Sequence, residues 1–316
     1  MPNKTSIQWT DYTSNPILPK EGGWGCSKVS PGCDHCYAET LNKRFGNGRD
    51  FAGKWEFVLN RVELNKLLRL KGSYKIFIAD MFDLFHSDIP WELTVEVFKV
   101  MASLPQHTFQ VLTKRPGRMA YFANNIYEWP SNVWAGTSVE SQKYAPRLEC
   151  LLQVPALVRF VSAEPLLGPL NIKPYFFYCT CSVTPCMCKG VAIQQVIIGG
   201  ESGPNARPMD LVWARDLIDQ CDHLGVAVFM KQMGSAPTSG LSDTALWQEL
   251  IDLSRQPDGV KLSDQLGSTF RRDMGSRRLG HYLKFRDSKG GKIEEWPEVF
   301  RRREFPCLKI TSGTMV

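Results

Sequence analysis

Histidine is scarce in this chain, with 5 among 316 residues, and no two stand four apart as a helical metal-binding pair requires. Hydrolysis on a histidine-held ion therefore lacks its usual ligands. Long apolar runs are missing too: no stretch approaches the roughly 18 residues that cross a bilayer as a helix. The opening segment MPNKTSIQWTDYTSNP has no apolar core of the signal-peptide kind, so a cytoplasmic location and no membrane partner are expected. There is no dominance of one charge. The net +6 permits a polyanionic partner without demanding one. Low-complexity tracts and internal repeats are absent beyond a β/α alternation, and the 43% hydrophobic and 22% charged contents are those of an ordinary globular protein. The glycine-rich turn Gly199-Gly200-Glu201-Ser202-Gly203 has no following Lys-Ser/Thr pair, which excludes a nucleotide P-loop.

Cysteine, by contrast, is plentiful. The chain has 10, and seven fall into two groups: Cys26, Cys33 and Cys36, then Cys179, Cys181, Cys186 and Cys188. In a reducing compartment such grouping points to metal or catalysis rather than disulfides. Cys150, Cys221 and Cys307 stand alone and read as small hydrophobes.

Short apolar segments rich in β-branched and aromatic residues predict strands over 5–12, 75–81, 108–114, 132–138, 157–163, 195–200 and 226–231. Helical patterns lie between most of them, over 36–45, 91–104, 117–125, 141–152 and 211–224. Pro90 marks the start of one, and Gly225 the end of another. This alternation predicts an α/β fold with a parallel sheet, a partial or complete (β/α) barrel over residues 1–234. The region 235–316 loses the alternation and reads as a C-terminal extension, with a short helix near 244–254 and a basic tail at Arg301–Arg303. Nearly every predicted strand delivers polar residues at its C-terminal end: Asp80 and Asp83, Thr113 and Lys114, Thr137, Ser138 and Glu140, Glu164, Glu201, then Lys231 and Gln232. In parallel β/α architectures that end is the ligand face. Ser and Thr there also serve as helix caps, so the two roles compete.

The loop 22–37 carries C-x6-C-x2-C, with glycines at 25 and 32. Three thiolates on one loop can each take one iron of a [4Fe–4S] cluster and leave the fourth iron open to the amino and carboxylate groups of S-adenosylmethionine. Glycine lets the backbone approach the cluster closely. The alternative is a zinc site with His35 or Asp34 as fourth ligand. His35, wedged between Cys33 and Cys36, is poorly placed to reach one ion with both.

The three-cysteine loop after the first strand, with Tyr37 following the last cysteine, resembles the radical S-adenosylmethionine superfamily. The usual spacing there is C-x3-C-x2-C, and this chain has three extra residues in the first gap. More closely, the chain resembles an uncharacterised phage and prophage family with a three-cysteine motif, assigned to that superfamily. The segments SIQWTDYTSNP, GCSKVSPGCDHCYAE, FIADMFDLFH, VLTKRP, FVSAEPLLGPL, IIGGESGPNARPM and FMKQMG carry the likeness across roughly residues 6–234. The resemblance implies a barrel of the radical S-adenosylmethionine type, a [4Fe–4S] cluster, and an electron donor such as flavodoxin or ferredoxin. It further implies Asp80 or Asp83 on the cofactor's amino group, and Thr137, Ser138 and Glu140 near its ribose or carboxylate. Gly199 and Gly200 form a backbone-rich turn suited to an adenine, a phosphate or a sugar.

The second group, C-x-C-x4-C-x-C within an insertion at 175–190, suits a structural zinc. A second iron–sulfur cluster and four free thiols are the alternatives. Three functions compete. The first is a radical enzyme with Glu164, Glu201 and Lys231 holding a substrate, for which a nucleoside or nucleic-acid base is the candidate class. The second is a non-catalytic zinc protein that binds nucleic acid. The third is a metal-dependent hydrolase, for which His86 is the one histidine worth mutating.

Overall fold

The structure, a computed structural model, describes residues 3–176, 192–240, 261–263, 280–284, 289, 291, 293 and 296–306. The second cysteine group, Cys179, Cys181, Cys186 and Cys188, lies outside them, as do Cys307 and the helix expected near 244–254.

The chain begins with β1 (Asn3–Lys4), β2 (Tyr12–Ser14) and β3 (Ile17–Pro19), then passes through the cysteine loop into α1 (Tyr37–Phe45). There follow β4 (Phe57–Leu59), α2 (Arg61–Leu68), β5 (Lys75–Ile78), α3 (Trp91–Ala102), β6 (Thr108–Thr113), α4 (Pro116–Asn125), β7 (Val133–Ser138), α5 (Arg147–Leu152) and β8 (Arg159–Ala163). The last elements are β9 (Gln195–Gly199), β10 (Met209–Asp210), α6 (Leu211–Asp222), β11 (Ala227–Gln232), β12 (Pro237–Gly240), β13 (Lys261–Ser263) and β14 (Gly280–Lys284).

The principal sheet has 8 strands in the order β1-β2-β5-β6-β7-β8-β9-β11. All neighbours from β2 onward are parallel, while β1 lies antiparallel at the edge. Its two edges do not pair with each other, so the sheet is an open half-barrel. Of the two alternatives read from sequence, the partial barrel holds and the complete, closed one does not.

Alternation along the strands divides the core in two. Ile76, Ile78, Phe109, Val111, Val133, Ala135, Val161, Ala163, Val196, Ile198, Val228 and Met230 join the large cluster that includes Phe98 of α3, Phe122 of α4, Leu148 of α5 and Leu217 of α6. Their neighbours Phe77, Trp134, Phe160, Ile197 and Phe229 form a second, inner cluster with Trp9 and Val158. The Trp9 ring lies 4.7 Å from Phe77 and 6.0 Å from Phe160. Those residues sit on β5 and β8, about 14 Å apart if the sheet were flat. One indole meets both because the sheet curls around it.

Trp9 also explains a shifted strand. The segment 5–12 was expected to run beside β5, yet pairing with β5 starts only at Tyr12. Thr10 Oγ1 donates to the Lys75 carbonyl, and Lys75 N–H donates to Asp11, so the chain crosses the lower end of the half-barrel before turning up. The strand expected over 75–81 stops at Ile78, because Ala79 takes a left-handed φ of 64°. The helix expected over 141–152 is split: Gln142–Tyr144 is a single 3-10 turn, and α5 begins only after Pro146. Gly225 does end the α6 region, at φ 65°.

The chain beyond 234 returns to the core at two places. β12 pairs with β10, and residues 302–304 run against β11: Met230 N–H donates to the Arg302 carbonyl and Glu304 N–H to that of Val228. Phe305 rests on Phe229 at 5.4 Å. These contacts cover a sheet edge that would otherwise present unpaired backbone groups.

Gly136 lies under the Phe160 ring, and a Cβ there would come within 2.3 Å of ring carbon. Gly136→Ala should therefore destabilise the fold by about 1–3 kcal/mol through overpacking. Thermal unfolding should show Gly136→Ala with Phe160→Leu losing less than the sum of the single variants. Strict additivity would mean that the ring does not depend on the glycine.

Candidate functional site

The cysteine loop lies across the C-terminal ends of the parallel strands. Cys26, Cys33 and Cys36 are all free thiols and all half-buried. Trp55 fixes the first of them: its indole N–H donates to the Cys26 carbonyl at 2.9 Å, and its ring packs so tightly on Gly25 that a Cβ would come within 2.7 Å. Burial pushes the Cys26 thiol up to about 11. Cys36 occupies the N-cap of α1, where burial raises its pKa while the backbone N–H groups of Ala38 and Glu39 and the charge of Lys114 oppose that rise.

Three carboxylate–arginine pairs fasten the loop from three different strand ends. After β6, Arg115 pairs with Asp83 at 2.9 Å and donates to the Ser27 carbonyl at 2.9 Å and the Ser27 hydroxyl at 2.7 Å. After β7, Glu140 pairs with Arg147 at 2.9 Å and accepts from Ser30 at 2.5 Å. Gly32 is needed here, since a Cβ would come within 2.4 Å of the Glu140 carboxylate. After β9, Glu201 pairs with Arg207 at 2.6 Å and meets His35 Nδ1 at 2.9 Å, while Arg207 donates to the Pro31 carbonyl at 2.8 Å. Burial works against charge on Glu201, but hydrogen bonds from Arg207 and His35 hold its carboxyl below the ordinary value.

These pairs engage several residues named from sequence. Asp83 accepts hydrogen bonds from Phe85 N–H, Thr113 Oγ1, Lys114 N–H and Arg115, so both its oxygens are used within the protein. Glu201 likewise accepts from His35 and from Arg207 through its backbone N–H, Nε and Nη2. Glu140 is fully buried against the loop, and Thr137 Oγ1 donates to the Thr113 carbonyl at 2.8 Å. Asp83, Thr137, Glu140 and Glu201 thus each make bonds within the protein that hold the loop and strand ends.

The rest line the concave face. Lys231 pairs with Glu164 at 2.5 Å, and both side chains keep about a fifth of their surface open, at 20% and 18%. Gly199 lets the Glu164 carboxylate lie against the strand, and Gly200 is packed against the Met233 carbonyl, where a Cβ would be 2.4 Å away. Lys114 reaches Ser138 Oγ at 3.5 Å. Asp80 accepts from Asn15 at 2.8 Å, and burial raises its pKa. Tyr37 donates through its hydroxyl to the Asp80 carbonyl. As a residue, Tyr37 keeps 51% of its surface open to solvent. The surrounding cleft walls nonetheless withdraw water from the hydroxyl, whose pKa rises for that reason first and for the nearby Asp80, Cys36 and Glu164 second. The mouth therefore contains two lysines, two carboxylates and an aromatic ring beside the cysteine loop.

Sequence reading missed Arg115, Arg147, Arg207, Ser27, Ser30, Asn15 and Trp55. A signal existed for two of the arginines: each follows the strand-end acid it pairs with, by seven residues for Glu140 and Arg147 and by six for Glu201 and Arg207. His86, singled out for mutation, turns out to hold the loop through its Nε2 on Ser27 Oγ at 2.8 Å. Cys221 is fully buried in α6, where burial drives its thiol to about 12, as a small hydrophobe. Cys150 is half-buried.

Among the described residues, no three His, Cys, Asp or Glu side chains are gathered as a single-ion site. Both proposed fourth ligands for zinc are engaged: His35 on Glu201 and Asp34 with Arg207 at 3.5 Å. No described helix is long and apolar enough to cross a membrane.

A family model described as Protein of unknown function (DUF5131) matches residues 4–287. No curated protein matches the chain. Among solved structures, the chain is similar to a mutant of spore photoproduct lyase with bound AdoMet and dinucleoside spore photoproduct. That similarity covers 95% of this chain and 75% of the other, at 11% identity and a TM-score of 0.42, too distant to bear on reaction or substrate.

Removing Glu140 would strand Arg147, whose side chain is only 12% exposed. Glu140→Ala should cost about 3–5 kcal/mol in urea unfolding, whereas Glu56→Ala, which breaks the exposed Lys20–Glu56 pair, should change stability by less than about 1 kcal/mol. Glu201 adds a pH dependence. Its folded pKa lies below the ordinary 4.5, so its contribution is full above that value and is lost as the pH falls through the lower, folded one. Glu201→Gln should flatten this part of the acid limb in unfolding measured across pH.

Proposed function

We propose that this chain, which belongs to the DUF5131 family, is a radical S-adenosylmethionine enzyme that holds a [4Fe–4S] cluster through Cys26, Cys33 and Cys36. The observation that carries this reading is the placement of three free thiols on one loop, at the C-terminal end of a curled parallel sheet, clamped from three strands. The bound cluster and cofactor supply one-electron cleavage of S-adenosylmethionine, the source of a 5′-deoxyadenosyl radical that takes hydrogen from a substrate.

The chain's own part is to orient and to exclude water. Asp80, Ser138, Gly199 and Gly200 are the residues proposed to hold S-adenosylmethionine beside the loop, with Tyr37 flanking it at the first position of α1. Asp83, Thr137, Glu140 and Glu201 keep the loop and strand ends in register. Glu164 and Lys231 face the substrate: Lys231 can exchange its bond to Glu164 for an anionic or carbonyl group entering the mouth. Two lysines and a half-exposed aromatic ring in one cleft support a nucleoside or nucleic-acid base as the substrate class. A one-electron donor such as flavodoxin or ferredoxin is the partner that this chemistry requires. A structural zinc on Cys179, Cys181, Cys186 and Cys188 belongs to the same proposal.

Anaerobic purification with iron, sulfide and zinc analysis tests the reading. The expected result is a brown protein with about four irons that the Cys26→Ala/Cys33→Ala/Cys36→Ala variant does not hold. The loaded protein should release 5′-deoxyadenosine from S-adenosylmethionine under reduction. Lys231→Met should leave iron content and that release in place while lowering substrate turnover. A colourless protein carrying only zinc after reconstitution would overturn the radical reading in favour of a zinc-dependent nucleic-acid-binding protein.

A further inference from the structure

Arg115 and Asp83 form an ion pair buried directly beneath the first cysteine. Their side chains are 11% and 9% exposed. Arg115 Nη1 lies 2.9 Å from Asp83 Oδ2 and 3.9 Å from Cys26 Sγ, while Nη2 spends both its contacts on Ser27, the residue after that cysteine. Ser27 is held from a second side by His86. The Asp88 N–H points at His86 Nδ1 at 3.1 Å, so Nδ1 accepts, and Nε2 carries the proton that it donates to Ser27 Oγ at 2.8 Å. Burial and the neighbouring Arg115 both disfavour a charged His86. The Arg115 guanidinium is consequently the cation in contact with this cysteine, and Asp83 is the anion paired with it.

We infer that the Arg115–Asp83 pair tunes the electron affinity of the cluster held by the loop, Arg115 raising its reduction potential and Asp83 lowering it. This rests on the iron–sulfur reading above. The step concerned is the addition of one electron to the oxidised cluster from a low-potential one-electron donor, with no bond made or broken. Reduction adds one unit of negative charge. A cation in contact with a ligand sulfur stabilises that charge and a nearby carboxylate opposes it, and at this depth water screens neither fully. Arg115 and Asp83 are positioning residues, acting through Cys26 and Ser27.

The two halves of one pair make a test that a purely structural role fails. Full-length wild type, Arg115→Gln, Arg115→Lys and Asp83→Asn would be reconstituted anaerobically, assayed for iron, and titrated with dithionite while the reduced cluster is followed by electron paramagnetic resonance. The expected result is a more negative midpoint for Arg115→Gln, a less negative one for Asp83→Asn, and a value near wild type for Arg115→Lys. If the pair only braced the loop, both neutral variants would lose iron alike and the cluster remaining would keep its midpoint, which would overturn the proposal. Should Arg115→Gln hold no iron, Asp83→Asn decides alone: an unmoved midpoint sinks the tuning role. A wild-type protein that takes up no iron would instead overturn the iron–sulfur reading, so the two failures are distinguishable.

Discussion

The placement of the cysteine loop depends on charge taken out of water. Asp83 with Arg115, Glu140 with Arg147 and Glu201 with Arg207 each join a strand end to the loop, and in the first two pairs no side chain is more than 12% exposed. Burying an ion pair carries a desolvation penalty of several kcal/mol per ion, offset only by good geometry and further hydrogen bonds. Here the further bonds are supplied by the loop itself: Ser27 on Arg115, Ser30 on Glu140, His35 on Glu201 and the Pro31 carbonyl on Arg207. A loop in any other position would leave buried charges short of partners. That penalty gives three cysteines on an irregular segment a single arrangement, which propensity and loop geometry do not.

The clamp works because the sheet beneath it is curled. Trp9, Phe77, Trp134, Phe160 and Phe229 fill the concave side below the mouth, and Gly136 makes room for the Phe160 ring. With this plug in place the ends of β6, β7 and β9 converge on one loop instead of fanning apart. The segment 302–304 covers the outer edge of β11, and Phe305 packs on Phe229. The carboxyl-terminal chain therefore contributes to the floor of the same half-barrel.

Most of the scaffold was legible because it obeys local rules. The strands at 108–114, 132–138, 157–163 and 195–200 were recognisable from their β-branched and aromatic runs, and each is observed within two residues of its expected ends. Where local rules failed, a tertiary contact overrode them: Trp9 draws 5–12 across the lower end, and left-handed Ala79 cuts β5 short. In the site, the three cysteines and the polar strand ends were visible as types and positions. Their partnerships were not. Arg115 meets Ser27 across 88 residues and Arg207 meets Pro31 across 176, and no periodicity spans such distances. Asp83, Glu140 and Glu201, read from sequence as ligand residues, each also pair with an arginine that sequence reading did not connect to them.

The ion pairs of the mouth differ in how fully their charge is satisfied within the protein. On the side of β5, β6 and β7, the acid of each ion pair has its oxygens occupied by protein, and those residues can act on a visitor only through the loop they hold. Flanking the β9 clamp of Glu201 and Arg207, Glu164 and Lys231 form a pair with open surface, and Lys231 has no second carboxylate among the salt bridges of the described residues. An incoming group can displace one partner of that pair without leaving a buried charge stranded. It cannot do so at Asp83 or Glu140, where losing a partner costs about 3–5 kcal/mol. The ion pairs around the mouth thus differ in how much it costs to break each one.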